Sequence, residues 1–181
     1  ALIRSAYDIV TGGWDAEDVS AYLRTGLAGL TPEETDTLEN YVLLWSLRGG
    51  AWTRPEPWRQ HPDGYGAPDT DEAAARLAGI NNLRQRAAAP LRRLGAQSHA
   101  AATAQAQAMA LADFLERLHL AQRLDTLAED LRRDGRGALA AEYAQLWELT
   151  VGALEQFAAI LGDTQMDADT SATLFLRMLS C

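Results

Sequence analysis

The chain has 181 residues, 48 % of them hydrophobic and 23 % charged, which is long enough and apolar enough to bury a globular core. Its formal charge is −9, and all 16 basic residues are arginine. That balance excludes a free-standing basic nucleic-acid binder, whose affinity would come from phosphate neutralisation, so any DNA contact would have to be local. No apolar run approaches the ~18–20 residues that span a bilayer, and no signal-peptide pattern opens the chain.

Cys181 stands alone at the end, which excludes an internal disulfide and a cysteine-ligated zinc or iron–sulfur site within the chain. The expected compartment is the cytoplasm. Alternating β-branched runs are missing, while Ala, Leu, Glu, Gln and Arg dominate between Gly and Pro punctuation. The expected fold is all-α: one irregular domain over 1–181, with about seven or eight helices and a single long Pro/Trp-containing loop.

Residues 1–13 read as a helix ending at a glycine, as though the chain were excised from a larger protein. The next helix starts at Asp15, shows Val19, Tyr22 and Leu23 on one face, and stops at Gly26. Thr31-Pro32-Glu33-Glu34 supplies an N-cap, a proline at the first helical position and a capping-box acid. Leu38, Tyr41, Val42 and Trp45 then recur at helical spacing, and Leu43, Leu44 and Leu47 fill the other faces. The expectation is a central helix, buried on most sides, that ends at Gly49–Gly50.

The segment 51–68 holds four of the six prolines and cannot be helical throughout. Trp52, Trp58 and Tyr65 argue that it packs on the domain, since disordered linkers are poor in aromatics. A long helix capped at Asp69 and Glu72 runs through Leu77, Ile80, Leu83 and Arg84 toward Pro90, where it should kink or restart. An Ala-rich helix from His99 to His119 should turn Met109, Leu111, Leu115 and Leu118 inward. Helices around Leu124–Leu131, from Ala138 to Leu161 and around Leu174–Met178 complete the chain.

Few constellations survive a test for chemistry. The phosphate-binding motif GxxxxGK[ST] needs a lysine, and GxGxxG is missing. His61, His99 and His119 have no partner at metal-ligand spacing. A calcium loop counted from Asp167 fails at Ala172 and Met178, so Asp163, Asp167 and Asp169 read as capping acids. Catalysis by buried acids would need paired carboxylates on facing helices, which spacing alone does not establish. The remaining candidates are Arg48, Arg54 and Arg59 interleaved with Trp52 and Trp58, a combination that can grip single strands or phosphate backbones. The competing reading has the tryptophans pinning the loop to the core and the arginines solvated. No catalytic, cofactor-binding or metal residue is assigned.

One stretch carries a family resemblance. Leu23, Thr25, Gly26, Leu27, Asp36, Leu38, Glu39, Asn40, Tyr41, Val42, Leu43, Arg48, Gly49, Trp52 and Trp58 match a pattern that resembles the AddB subunit of bacterial AddAB-type helicase–nucleases. Ser46 and Leu47 stand where that pattern has Gly and Ile. The Ala141–Trp147 segment is similar as well, and the detailed match covers about a quarter of the chain. The resemblance implies a helical, 2B-like insertion domain from such a subunit, without chemistry of its own, in a protein that takes part in ATP-dependent processing of double-strand DNA ends during recombinational repair. It implies ATP, magnesium and an iron–sulfur cluster for the parent protein and none of them in this piece. Its expected partners are the remaining domains of the parent subunit, an AddA-like helicase–nuclease subunit and duplex DNA, with no membrane. The alternative is a stand-alone helical protein–protein interaction module that docks through its Trp-rich loop.

Overall fold

Glycine, proline and short polar residues break this sequence into helix-length segments, and the computed structural model, which describes residues 1–179, turns each of them into a helix. In chain order these are α1 (Leu2–Gly12), α2 (Ala16–Leu23), α3 (Pro32–Leu44), α4 (Gly50–Thr53), α5 (Asp71–Ala100), α6 (Ala104–Arg117), α7 (Leu120–Arg133), α8 (Gly137–Leu161) and α9 (Ala168–Met178). The fold is all-α, with no strand among the described residues. The helix beyond the expected number is α4, a single turn inside the long loop. Cys181 lies outside the described residues. The chain groups into two compact units, Ala1–Arg92 and Arg93–Cys181.

In the first unit, α3 begins as its sequence dictates. The Thr31 hydroxyl accepts from the Glu34 N–H at 3.2 Å, and the Glu34 carboxylate accepts from the Thr31 N–H at 2.9 Å. Arg86 from α5 donates to both Glu34 oxygens, and this charge beside the cap holds the Glu34 carboxyl below the usual range. The other end departs from expectation. α3 stops at Leu44, because Ser46 takes a left-handed φ of 49° and closes a Schellman turn: Leu47 N–H donates to Val42 C=O and Ser46 N–H to Leu43 C=O. Leu47 is buried after the turn, but Leu43 is 69 % exposed and Leu44 49 % exposed, so the helix is not buried on most sides. Its buried face instead includes Glu39, which accepts from Ser20 of α2 and from Arg24, the residue that follows α2.

α5 is capped by the Thr70 hydroxyl, which accepts from Ala73 N–H, rather than by Asp69 and Glu72. It runs on as one helix through Pro90 to Ala100, although the proline leaves the Arg86 carbonyl without its usual donor.

In the second unit, Leu94, Leu111, Phe114, Leu115, Leu118, Leu124, Phe157 and Phe175 form the core, with Phe157 edge-on to Phe175. Met109, expected inward, is 67 % exposed. Thr103 caps α6, and an isolated bridge pairs it with Gln165. Asp167 caps α9 by accepting from Thr170 N–H at 2.8 Å, the capping role its sequence position suggested.

Candidate nucleic-acid interface

The candidate residues all lie on the segment after α3, and one buried arginine organises it. Along α5 the inward positions 73, 77, 80, 84, 87, 91 and 94 repeat at alternating steps of four and three. Six of them are Ala, Leu or Ile; the seventh is Arg84, fully buried. Its guanidinium donates to the carbonyls of Glu56 (2.8 Å), Arg54 (2.5 Å) and Trp52 (3.4 Å), and lies 5.0 Å from the centroid of the Trp58 ring. Burial pulls the Arg84 pKa down, with Arg92 and Arg54 nearby acting the same way, yet a guanidinium stays protonated at any working pH. A cation without a carboxylate partner is tolerable there because three carbonyl dipoles and an aromatic face replace its water.

The aromatics continue the anchorage. Trp14, Trp52, Trp58 and Tyr41 form one array. Trp14 stacks on Trp52 at 6.3 Å, Trp52 meets Trp58 edge-on at 5.0 Å, and Trp58 stacks on Tyr41 at 5.4 Å. Trp58 donates from its indole to Ala51 C=O at 2.9 Å. Its backbone exchanges two hydrogen bonds with the Asn81 amide, N–H to Oδ1 at 2.8 Å and Nδ2 to C=O at 3.0 Å. Tyr41 Oη donates to Gln60 C=O and Trp45 Nε1 to His61 C=O. Gly49 admits the chain to this array at φ 56° and ψ −128°, a conformation open to glycine, with its N–H on Trp14 C=O. His61 lies between Asp63 N–H and the Pro68 carbonyl, within the same loop. Tyr65, expected to pack, is 99 % exposed.

Trp52 and Trp58 are therefore buried and do not offer a stacking face to a base. The arginines are at the surface. Arg54 and Arg59 border one open concavity of about 550 Å³ with Glu56, Pro57 and Gln60; Arg48 is exposed but does not line it. Among the described residues none of the three has a carboxylate within ion-pair distance. Sequence reasoning placed Arg84 on the helix without giving it a role, and it overlooked Trp14 and Asn81. The available signal was an arginine in the apolar register of α5.

Tyr41 offers a check by pH. Burial raises its phenol from 10.0 to about 12, against the opposing effect of its bond to Gln60. The folded protein thus keeps a proton that the unfolded chain releases above pH 10, so this contribution to stability is whole below pH 10 and is lost as pH rises toward 12. The loss should amount to roughly 2–3 kcal/mol. Tyr41→Phe should cost about 1 kcal/mol at neutral pH for the missing bond and then show a flatter decline above pH 10, measured by urea titration across pH. Parallel alkaline profiles would refute it.

An all-α segment with an arginine-clamped tryptophan loop is the class this geometry defines. Among the described residues no helix is long and apolar enough to cross a membrane, and no three of His, Cys, Asp and Glu come together to hold a metal ion. No family model matches the chain. It is similar to the B subunit of the ATP-dependent helicase/deoxyribonuclease of Acetivibrio thermocellus, 33 % identical over 163 residues that make up 90 % of this chain and 14 % of that protein. The proteins of the same name from Desulforudis audaxviator (35 % over 172 residues, 90 % of this chain) and Geobacillus kaustophilus (34 % over 172 residues, 89 %) each have 15 % of their length covered. Along about nine-tenths of its length the chain matches a fragment, about one-seventh, of these AddB-type helicase/deoxyribonuclease subunits. The likeness first read from a quarter of the sequence extends over about nine-tenths of it.

Proposed function

We propose that this chain is a non-catalytic helical segment of an AddB-like subunit in an ATP-dependent helicase–nuclease that acts on double-strand DNA ends in recombinational repair, in the cytoplasm. The observation that carries this reading is the similarity to AddB-type helicase/deoxyribonuclease subunits along nearly the whole chain. ATP, magnesium and an iron–sulfur cluster belong, in this proposal, to other parts of the parent assembly. The word "subunit" in the relatives' name supports an AddA-like partner as well as the remaining domains of the parent polypeptide.

Within that role the arginines at the loop edge contact the DNA backbone. Burial of Trp52 and Trp58 removes base stacking from the mechanism and leaves phosphate contact through cations that have no internal partner. The same burial deprives a stand-alone docking module of the Trp surface it would use. The test is DNA-end binding by the parent assembly across a salt series. Arg54→Ala with Arg59→Ala should weaken affinity and flatten the slope of log K against log salt by about 0.9 for each phosphate no longer neutralised; adding Arg48→Ala should extend the effect. An unchanged slope in the triple variant would show that these arginines do not meet DNA. ATP hydrolysis or DNA cleavage by the pure 181-residue chain would overturn the non-catalytic role.

A further inference from the structure

Helix α8 is apolar on two sides, and the second unit uses only one of them. Ala140, Thr150, Leu154 and Phe157 face the core of that unit. On another side of the same helix Leu146 is 40 % exposed, Leu149 62 % and Ile160 73 %, with Gly152 and Ala153 between them. Leu146, Leu149, Ala153 and Ile160 fall on alternating three- and four-residue steps, interrupted only at Gln156. Such a seam is the spacing by which one helix receives another, and the small residues at its middle allow close approach. A helix apolar around most of its circumference is ordinarily buried on all of it.

We propose that this outer seam of α8 is packed, in the longer polypeptide, by an amphipathic helix from outside residues 1–181 whose apolar positions are bordered by basic side chains. Two observations choose this occupant. The relatives are several times longer than this chain, so the polypeptide to which such a segment belongs has ample further structure to supply a helix. The charge in register with the seam is acidic: Glu142 lies four residues before Leu146 on the same stripe and α8 carries no basic residue, whereas Glu148 and Glu155 lie on the far side of the helix. A second copy would set like charges together, whereas a basic-bordered helix would complement them. The proposal rests on the proposed place of this chain within a longer AddB-like subunit and is independent of DNA contact.

The test uses the polypeptide as the cell makes it, with a photo-crosslinking benzoylphenylalanine placed at Leu149 or Ile160, and at Glu155 as a control, followed by peptide mapping. Positions 149 and 160 should crosslink to one helical segment outside 1–181 of the same polypeptide, with Arg or Lys next to its apolar residues, and the control should not. Leu149→Arg should abolish the crosslink from position 160, since it sets a cation against a basic border. Crosslinks to a second copy, to a different subunit, to residues within 1–181, or to nothing would each overturn the proposal.

Discussion

Arg84→Met lowers the stability of the first unit by about 2–4 kcal/mol, because three carbonyls lose a charged donor while no charge is left behind unpaired. The methionine stem fills much of the space, so the loss is electrostatic rather than steric. Three carbonyls, those of Trp52, Arg54 and Glu56, lose their shared donor, and the Trp58 face loses its cation. Each orphaned buried carbonyl costs about 1–3 kcal/mol, less where water can enter, and Arg54 and Glu56 lie at an exposed turn where some will. Arg84→Lys should recover less than half of the loss, because one ammonium cannot span three acceptors with the geometry of a planar fork. Urea unfolding followed by tryptophan fluorescence reads this well, since Trp14, Trp45, Trp52 and Trp58 all lie in the first unit and only Trp147 in the second. A loss below about 1 kcal/mol would mean that the loop is held by its tryptophans alone. Full recovery by lysine would mean that charge, not the fork, is what matters.

What could be read in advance was whatever depends on neighbours in sequence. The start of α3 is such a case: Thr31, Pro32 and Glu34 satisfy one another within a single turn, so the capping box needs no tertiary information. Its end is less legible. The Gly49–Gly50 pair looked like the stop, but Ser46 adopts the left-handed conformation three residues earlier, at the position where the family pattern has Gly. Hydrophobicity alone points Leu43 and Leu44 to the core, whereas their rotation around α3 puts them outward, and Glu39 is buried because Ser20 of α2 and Arg24 just after it reach it. That last pairing spans a tertiary contact, and no local pattern contains it.

The candidate site shows the same division. Aromatic content correctly signalled that Trp52 and Trp58 pin the loop, because an exposed pair of indoles would be costly. The latch itself was not legible, since Arg84 is 32 residues from Trp52 and looks like any other helix arginine. Only its register, between Ile80 and Ala87 on a strictly apolar stripe, distinguishes it. The exposed arginines could be named from sequence, but not their separation: Arg54 and Arg59 share a concavity that Arg48 does not line.

Trp52 and Trp58 are buried almost equally, at 1 % and 3 % exposure, and their truncation should nonetheless separate into two different costs. Trp52→Ala removes a fully enclosed indole from between Trp14 and Trp58 and should cost about 3–5 kcal/mol, the usual range for a large aromatic in a core. Trp52→Phe should be much milder, about 1–2 kcal/mol, because the Trp52 Nε1 is buried without an acceptor and its removal leaves no partner unpaired. Trp58→Phe removes the same volume but strands the Ala51 carbonyl, which Trp58 Nε1 meets at 2.9 Å, so it should cost about 1–2 kcal/mol more. A double-mutant cycle of Trp58→Leu, which removes the aromatic face, with Arg84→Met then measures how far the ring and the cation depend on each other. A coupling of about 0.5–2 kcal/mol is the range for a desolvated cation–π pair. Equal losses for the two phenylalanine variants would contradict the hydrogen-bond argument, and zero coupling would reduce the Arg84 latch to its carbonyl bonds.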